Sequence, residues 1–247
     1  MLAPVDARQA QAEAAAPGTL DELNVETRLL LTFALPDAAL AGFLPAGWQS
    51  NPAPQGPAKD ANLLLVLADR LIVQDASSAP LPGQSPNQLA VVAIPAKSEH
   101  GAGLVIAYGL SAEAGGAPGP YRVFAPATFT LDRRSRNGGQ NCEESWNVAG
   151  ADGEKISLST RYRRGPVLRS STETRAYSGA DPSFCRIYLA DQGADPLQLG
   201  GTPGERLDSF ELTCEGPRLS QLSDRSTRLL SVISVPWTVR RAFLAGA

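Results

Sequence analysis

Apolar and polar residues along this 247-residue chain alternate in short runs cut by Gly and Pro, a pattern of strands rather than helices. VETRLLLTF predicts a strand, and PDAALAGFL, with Asp37 near its start, predicts a short helix stopped by Pro45 and Gly47. NLLLVLADRLIV is apolar at both alternating sets of positions, so it predicts a strand covered on both faces. LAVVAIPA and LVIAYGLS predict the arms of a hairpin joined through SEHGAG, and Asp152-Gly153 predicts a tight turn between EESWNV and KISLSTRYRR. In the latter arm Ile156, Leu158, Thr160 and Tyr162 face one way, and Ser157, Ser159, Arg161 and Arg163 face the other. FCRIYLA and ERLDSFELTCEG read as further strands, and RLSQLSDRSTRLLSVISV as an alternation passing into a strand or a short helix. NPAPQGPAKD and SSAPLPGQSPN read as surface loops, as does the run Arg133, Arg134, Arg136 ahead of Asn137-Gly138-Gly139. Residues 1–19 hold almost no large apolar side chain and predict a loose arm or tag remnant, which leaves residues 20–247 as a single domain.

Many short strands with few helical stretches predict a mostly β (α+β) fold, a predominantly antiparallel sheet closing on itself with a few short helices. A chain with 43% apolar and 19% charged residues can bury a substantial core. The net charge of −3, with 19 Arg against only 3 Lys, supplies no positive field for a phosphate backbone, so nucleic acid is not expected as a partner. No apolar run approaches the roughly 18 residues of a membrane span, and no basic start precedes an apolar stretch. The expectation is a soluble protein, cytoplasmic by default, with a removed leader left open. Cys142, Cys185 and Cys214 are odd in number and widely spaced, which suits buried apolar side chains better than disulfides or a zinc site. With a single histidine and no close cysteine pair, neither a metal nor a cofactor is expected.

Three segments together resemble the acetoacetate decarboxylase-like superfamily. TFALPDAALAGFLPAGW resembles its strand, short helix and Leu-Pro turn; AIPAKSEHGAGLVIAYGLSAEAGGAPGPYRVFAPAT resembles its central hairpin and active-site turn; CEGPRLSQLSDRSTRLLSVISV resembles its closing Gly-Pro-x-Leu segment and final strand. The resemblance spans about Asn24 to Val235 and implies a cone-like β-barrel with a ligand pocket inside. In that family a lysine of the active-site turn forms a Schiff base with a keto acid, and a neighbouring lysine lowers its pKa. Here the turn reads Ala125-Pro126-Ala127-Thr128, with no amine. The family's acid before the central hairpin falls near Leu89 or Ala90, and its N-terminal arginine near Glu26, with Arg28 two residues on.

The resemblance therefore implies a pocket without its nucleophile. Lys59, Lys97 and Lys155 sit in a loop, at a strand end and beside a turn, where an amine stays solvated and protonated. The expected ligand is an organic acid or a carbonyl-bearing apolar compound. Its candidate binding set is Arg28 with Tyr121, Arg122, Phe124, Ala127 and Thr128 of the turn. If the site is catalytic, a lyase-like acid-base step is expected, with Asp69 and His100 as candidates. Asp69 and Arg70 interrupt a doubly covered strand, so each needs a partner or a polar cavity; His100 in its turn has Glu99 beside it and otherwise reads as a solvated loop residue. Two alternatives stay open: a noncatalytic carrier of an apolar ligand, and a protein-interaction module. Association into a homo-oligomer is compatible with each.

Overall fold

In the computed structural model, which describes residues 16–81, 87–112 and 121–245, each period-two run of the sequence becomes a strand. In chain order the strands are β1 (Gly18–Ala34), β2 (Gln49–Ser50), β3 (Leu63–Gln74), β4 (Asn87–Ser98), β5 (Gly101–Ser111), β6 (Phe124–Arg136), β7 (Asn141–Gly150), β8 (Lys155–Arg163), β9 (Leu168–Ser178), β10 (Cys185–Leu199), β11 (Thr202–Pro203), β12 (Leu207–Glu215) and β13 (Arg228–Ala245). Helix α1 (Asp37–Leu40) follows β1, and a 3-10 turn (Leu219–Ser223) precedes β13. Among the described residues no helix is long and apolar enough to cross a membrane.

The pairings run β12-β8-β7-β6-β5-β9-β10-β13-β1-β3-β4, and β4 pairs back onto β5. That last ladder closes a ring of seven strands, β4, β5, β9, β10, β13, β1 and β3. β5 joins β6 and β9 in parallel and the other ladders are antiparallel, so the sheet is mixed. Strands β6, β7, β8 and β12 continue past the ring and fold back over its outer face.

Alternation along each strand separates two interiors. Leu29, Leu31 and Phe33 of β1, with Leu63, Leu65 and Leu67 of β3, point outward against Trp146, Val148, Ile156 and Leu158 of the returning layer. Leu64, Ala93, Ile106, Ala176, Tyr188 and Ala242 point into the ring. β3 is thus covered on both sides, and β8 buries Ile156, Leu158, Thr160 and Tyr162 while exposing the residues between them.

Three segments differ from the sequence reading. Arg133, Arg134 and Arg136 lie on β6, not in a loop. Their strand is held by charge pairing, with Arg133 opposite Glu144 of β7 and bonded to it by Nε at 3.2 Å and Nη2 at 3.1 Å. β9, LRSSTETRAYS, carries too little apolar alternation to be read as a strand; the ladder from Leu168–Ala194 to Tyr177–Cys185 holds it to β10. β1 also begins at Gly18, within the stretch assigned to an arm, and α1 is a single turn. The rest of that arm (1–15) and residues 82–86 of the SSAPLPGQSPN loop fall outside the described residues.

Candidate active site

The N-terminal half of β1 turns Glu22, Asn24, Glu26 and Arg28 into the ring, since residues two apart on a strand share a face. β13 sets Thr238 opposite Glu26 and Arg240 opposite Asn24; β3 sets Arg70 opposite Glu26; β10 sets Tyr188 opposite Ala242 and brings in Arg186. Four guanidiniums and two carboxylates therefore meet in one buried space.

Their contacts fall into two groups. Deeper in, Glu22 accepts from Arg70 Nη2 at 2.5 Å and from Asn24 Nδ2 at 2.7 Å, with Arg186 Nη1 at 3.7 Å. Arg186 is also bound by Asp21 at the rim. Nearer solvent, Glu26 Oε1 accepts from Arg28 Nε at 2.7 Å and lies 3.6 Å from Arg240 Nε. Both of those guanidinium side chains are 16% exposed, whereas Glu26 is 1% exposed. One carboxylate thus serves two partly exposed cations.

Burial alone would push the Glu26 carboxyl up, but Arg240, Arg28 and Arg70 outweigh it and hold the group down to about 2. The same contest, with Arg70, Arg240 and Arg186 as the cations, holds Glu22 below the ordinary carboxylate range. Burial pushes the Arg28 guanidinium down; Glu26 opposes that push and Arg240 adds to it. Several buried polar atoms here lack a hydrogen bond among the described residues: Glu26 Oε2, Thr238 Oγ1, Arg240 Nε, and Arg186 Nε and Nη1.

Two phenols complete the interior. The Arg240 guanidinium lies 4.5 Å from the centre of the Tyr188 ring. Tyr188 Oη is 3.0 Å from Tyr121 Oη, and Tyr121 donates to the Ala176 carbonyl at 3.3 Å. Burial raises the Tyr121 phenol well above its ordinary range, so it stays protonated.

No protein-family model matches this chain, and no curated protein does. Among solved structures, it is similar to an acetoacetate decarboxylase-like enzyme from Sphingomonas wittichii RW1, at 14% identity and a TM-score of 0.58, covering 98% of this chain and 99% of that one. It is similar to acetoacetate decarboxylase from Legionella pneumophila at 8% identity and a TM-score of 0.56, covering 92% and 86%. It is also similar to the enduracididine biosynthesis enzyme MppR complexed with pyruvate, at 10% identity and a TM-score of 0.55, covering 95% and 91%. The chain has the acetoacetate decarboxylase-like fold.

Within this acetoacetate decarboxylase-like fold the sequence-derived site residues separate. Arg28 and Tyr121 reach the ring interior, and Phe124 packs half-buried beside it. Ala127 packs on the other core, between the layers. Thr128 is exposed, its hydroxyl 3.5 Å from the Ala149 carbonyl, and Arg122 is exposed with a left-handed φ of 57°. Asp69 and Arg70 point to opposite faces of β3: Arg70 into the ring, Asp69 outward, where it accepts from Gln88 Nε2 at 2.9 Å and faces Arg133 at 3.6 Å. His100 sits exposed at the β4–β5 turn, stacked on Trp48 with ring centres 6.4 Å apart. Lys59, Lys97 and Lys155 are all exposed on the outside.

Sequence reasoning missed Glu22, Asn24, Arg186, Tyr188, Thr238 and Arg240. The signal was present as E-x-N-x-E-x-R in β1, R-x-Y in β10 and T-x-R in β13, polar residues at period two, but in β1 and β13 the residues between them are mostly apolar and half-buried or exposed, so the polar face does not read as the inner one. A surface groove of about 250 Å³ over β6–β8, lined by Asp132, Arg134, Glu143 and Arg161 among others, carries charges of both signs and opens to solvent.

Proposed function

We propose that the ring interior binds the carboxylate of a small organic acid through Arg28 and Arg240, and that no lysine of this chain forms a Schiff base with it. The carrying observation is the sharing of Glu26 between two partly exposed guanidiniums, with Arg240 Nε, 3.6 Å from Glu26, and two nitrogens of Arg186 without hydrogen bonds among the described residues. Guanidiniums in a low-dielectric site favour a planar anion that accepts paired N–H bonds. A carboxylate would supply acceptors to donors that the protein leaves over. The similar fold of MppR complexed with pyruvate supports a small keto acid as the first ligand to try. An apolar carrier fits less well, because the four guanidiniums outnumber the carboxylates beside them and an apolar ligand would pair none of the excess.

The exposed positions of Lys59, Lys97 and Lys155, outside the ring, support the exclusion of imine chemistry, since none of these amines reaches an acid bound in the interior. Proton transfer to or from a bound acid would fall to Tyr188. Its phenol lies inside the ring beside Arg240, and Tyr121 fixes its oxygen. Asp69 and His100 are not assigned this role, because they face away from the interior.

Calorimetric titration with pyruvate and with acetoacetate tests the reading. Saturable one-to-one binding is expected, lost in Arg28→Met and in Arg240→Met. Borohydride treatment with either acid should leave the intact mass unchanged. Undiminished binding in both variants would overturn the assignment of Arg28 and Arg240, and a reduced lysine adduct would overturn the exclusion of a Schiff base.

A further inference from the structure

The first half of β9 is an open sheet edge. β9 pairs with β10 along Leu168–Tyr177, yet on its other side it meets β5 only at Ala176–Ser178. Along Leu168–Glu173 no described strand covers that edge. Arg169, Ser171, Thr172 and Glu173 are exposed, so both faces of the strand are open as well as its edge. An uncovered edge of this length is a template for another strand.

The direction of its backbone groups is fixed. Ser178 donates its amide toward β10, to the Phe184 carbonyl, and Gly179 donates toward β5, to the Ile106 carbonyl. Backbone groups alternate sides along a strand, so Arg169, Ser171 and Glu173 turn theirs to the open edge. Gly103 of β5 lies against the Arg175 carbonyl, which agrees with this parity and marks where the open stretch ends.

We propose that this edge pairs with the same edge of a second copy of the chain, antiparallel across a two-fold axis at Ser171. The charges choose the register. An axis at Ser171 sets Arg169 opposite the partner's Glu173 and Glu173 opposite the partner's Arg169, with Ser170 opposite Thr172 on the other face. Moving the axis to Thr172 sets Arg169 against Arg175, and moving it to Glu173 sets two carboxylates together, both unfavourable for directly opposed residues. An axis at Thr174 would again oppose Glu173 and Arg175, but it needs the stretch Ala176–Ser178 that β5 occupies. Only the Ser171 register joins opposite charges on free backbone. It makes about six backbone hydrogen bonds, because residues 169, 171 and 173 all belong to the hydrogen-bonded class of pair. Arg169 is already held by Asp191, through Nε at 3.0 Å and Nη2 at 2.5 Å, so its side chain is ordered before a partner arrives. The pairing would run one sheet from β13 through β10 and β9 into the second copy, an isologous dimer.

Sedimentation velocity and native mass spectrometry on the full chain test this at tens of micromolar protein. The expected species has twice the 25.9 kDa chain mass. Ser171→Pro removes an edge N–H that the β9–β10 ladder does not use, and Glu173→Arg sets like charges opposite each other; each should raise the dimer dissociation constant at least about tenfold while far-UV circular dichroism stays as in the parent. The double variant Arg169→Glu/Glu173→Arg, which exchanges the opposed charges, should dimerise more tightly than Glu173→Arg alone. A monomeric parent protein, or a dimer that survives either single variant, overturns the proposal.

Discussion

Replacing Glu26 with Gln removes the one carboxylate that Arg28 and Arg240 share, and two independent lines give the size of the effect. The guanidiniums hold its carboxyl at about 2 rather than the ordinary 4.5, and a displacement of that size corresponds to about 3 kcal/mol of stability. Breaking a buried ion pair from one side costs about 3–5 kcal/mol, because the remaining charge stays desolvated. Glu26 is 1% exposed, so little solvent screening reduces either figure. The sign follows from a folded-state pKa below the unfolded one: the contribution is complete above about 4.5 and disappears as pH falls toward about 2. Urea unfolding of parent and Glu26→Gln at about pH 7 should therefore show a loss of about 3 kcal/mol, and the gap should shrink steadily on acidification. A gap under about 1 kcal/mol near neutrality, or one unchanged down to about pH 3, would refute the reasoning.

Trp146 donates its indole N–H to Glu144 at 2.6 Å at the centre of the layer core, so Trp146→Phe should cost about 2 kcal/mol in urea unfolding, part from the lost charge-assisted bond and part from the smaller ring. Glu154 accepts the backbone N–H groups of Arg218 at 2.8 Å and Leu219 at 2.9 Å; Glu154→Gln puts an amide N–H₂ against one of them, and hydrogen exchange of both amides should accelerate. The Cys214 thiol is pushed up to about 12 by burial, and Cys142 is buried too. Thiol reagents at mildly alkaline pH should therefore label Cys185 first, with Cys142 and Cys214 reacting only on unfolding, as peptide mass spectrometry would show.

The strands were legible wherever one face was apolar and the other was not. KISLSTRYRR declares its faces residue by residue, and Asp152-Gly153 declares its turn. The end of β6 and all of β9 were not legible in this way. β6 keeps apolar alternation through Ala125, Ala127, Phe129 and Leu131, but its end from Arg133 on is paired by charge, Arg133 with Glu144, and a charge at a strand position gives no local sign of the opposite charge it will meet across a ladder. β9 is exposed over most of its length, so no burial shapes its composition. The site was legible only in part. Arg28 and Tyr121 were named through the resemblance, but Arg186, Tyr188 and Arg240 lie in strands whose buried polar positions look like solvent-facing ones until the ring closes around them. Asp69 shows the converse. A charge in a doubly covered strand demands a partner, yet only the third dimension reveals that Asp69 meets Arg133 outside the ring while Arg70 turns inward.

A crystal structure of the protein soaked with pyruvate tests most directly the proposed binding of a carboxylate in the cationic ring interior. The prediction is a planar acid inside the ring, its carboxylate oxygens bonded to Arg28 and Arg240 and its carbonyl toward Tyr188, with no covalent link to the protein. Pyruvate joined to a lysine, or bound only outside the ring while the interior stays unchanged, would contradict it.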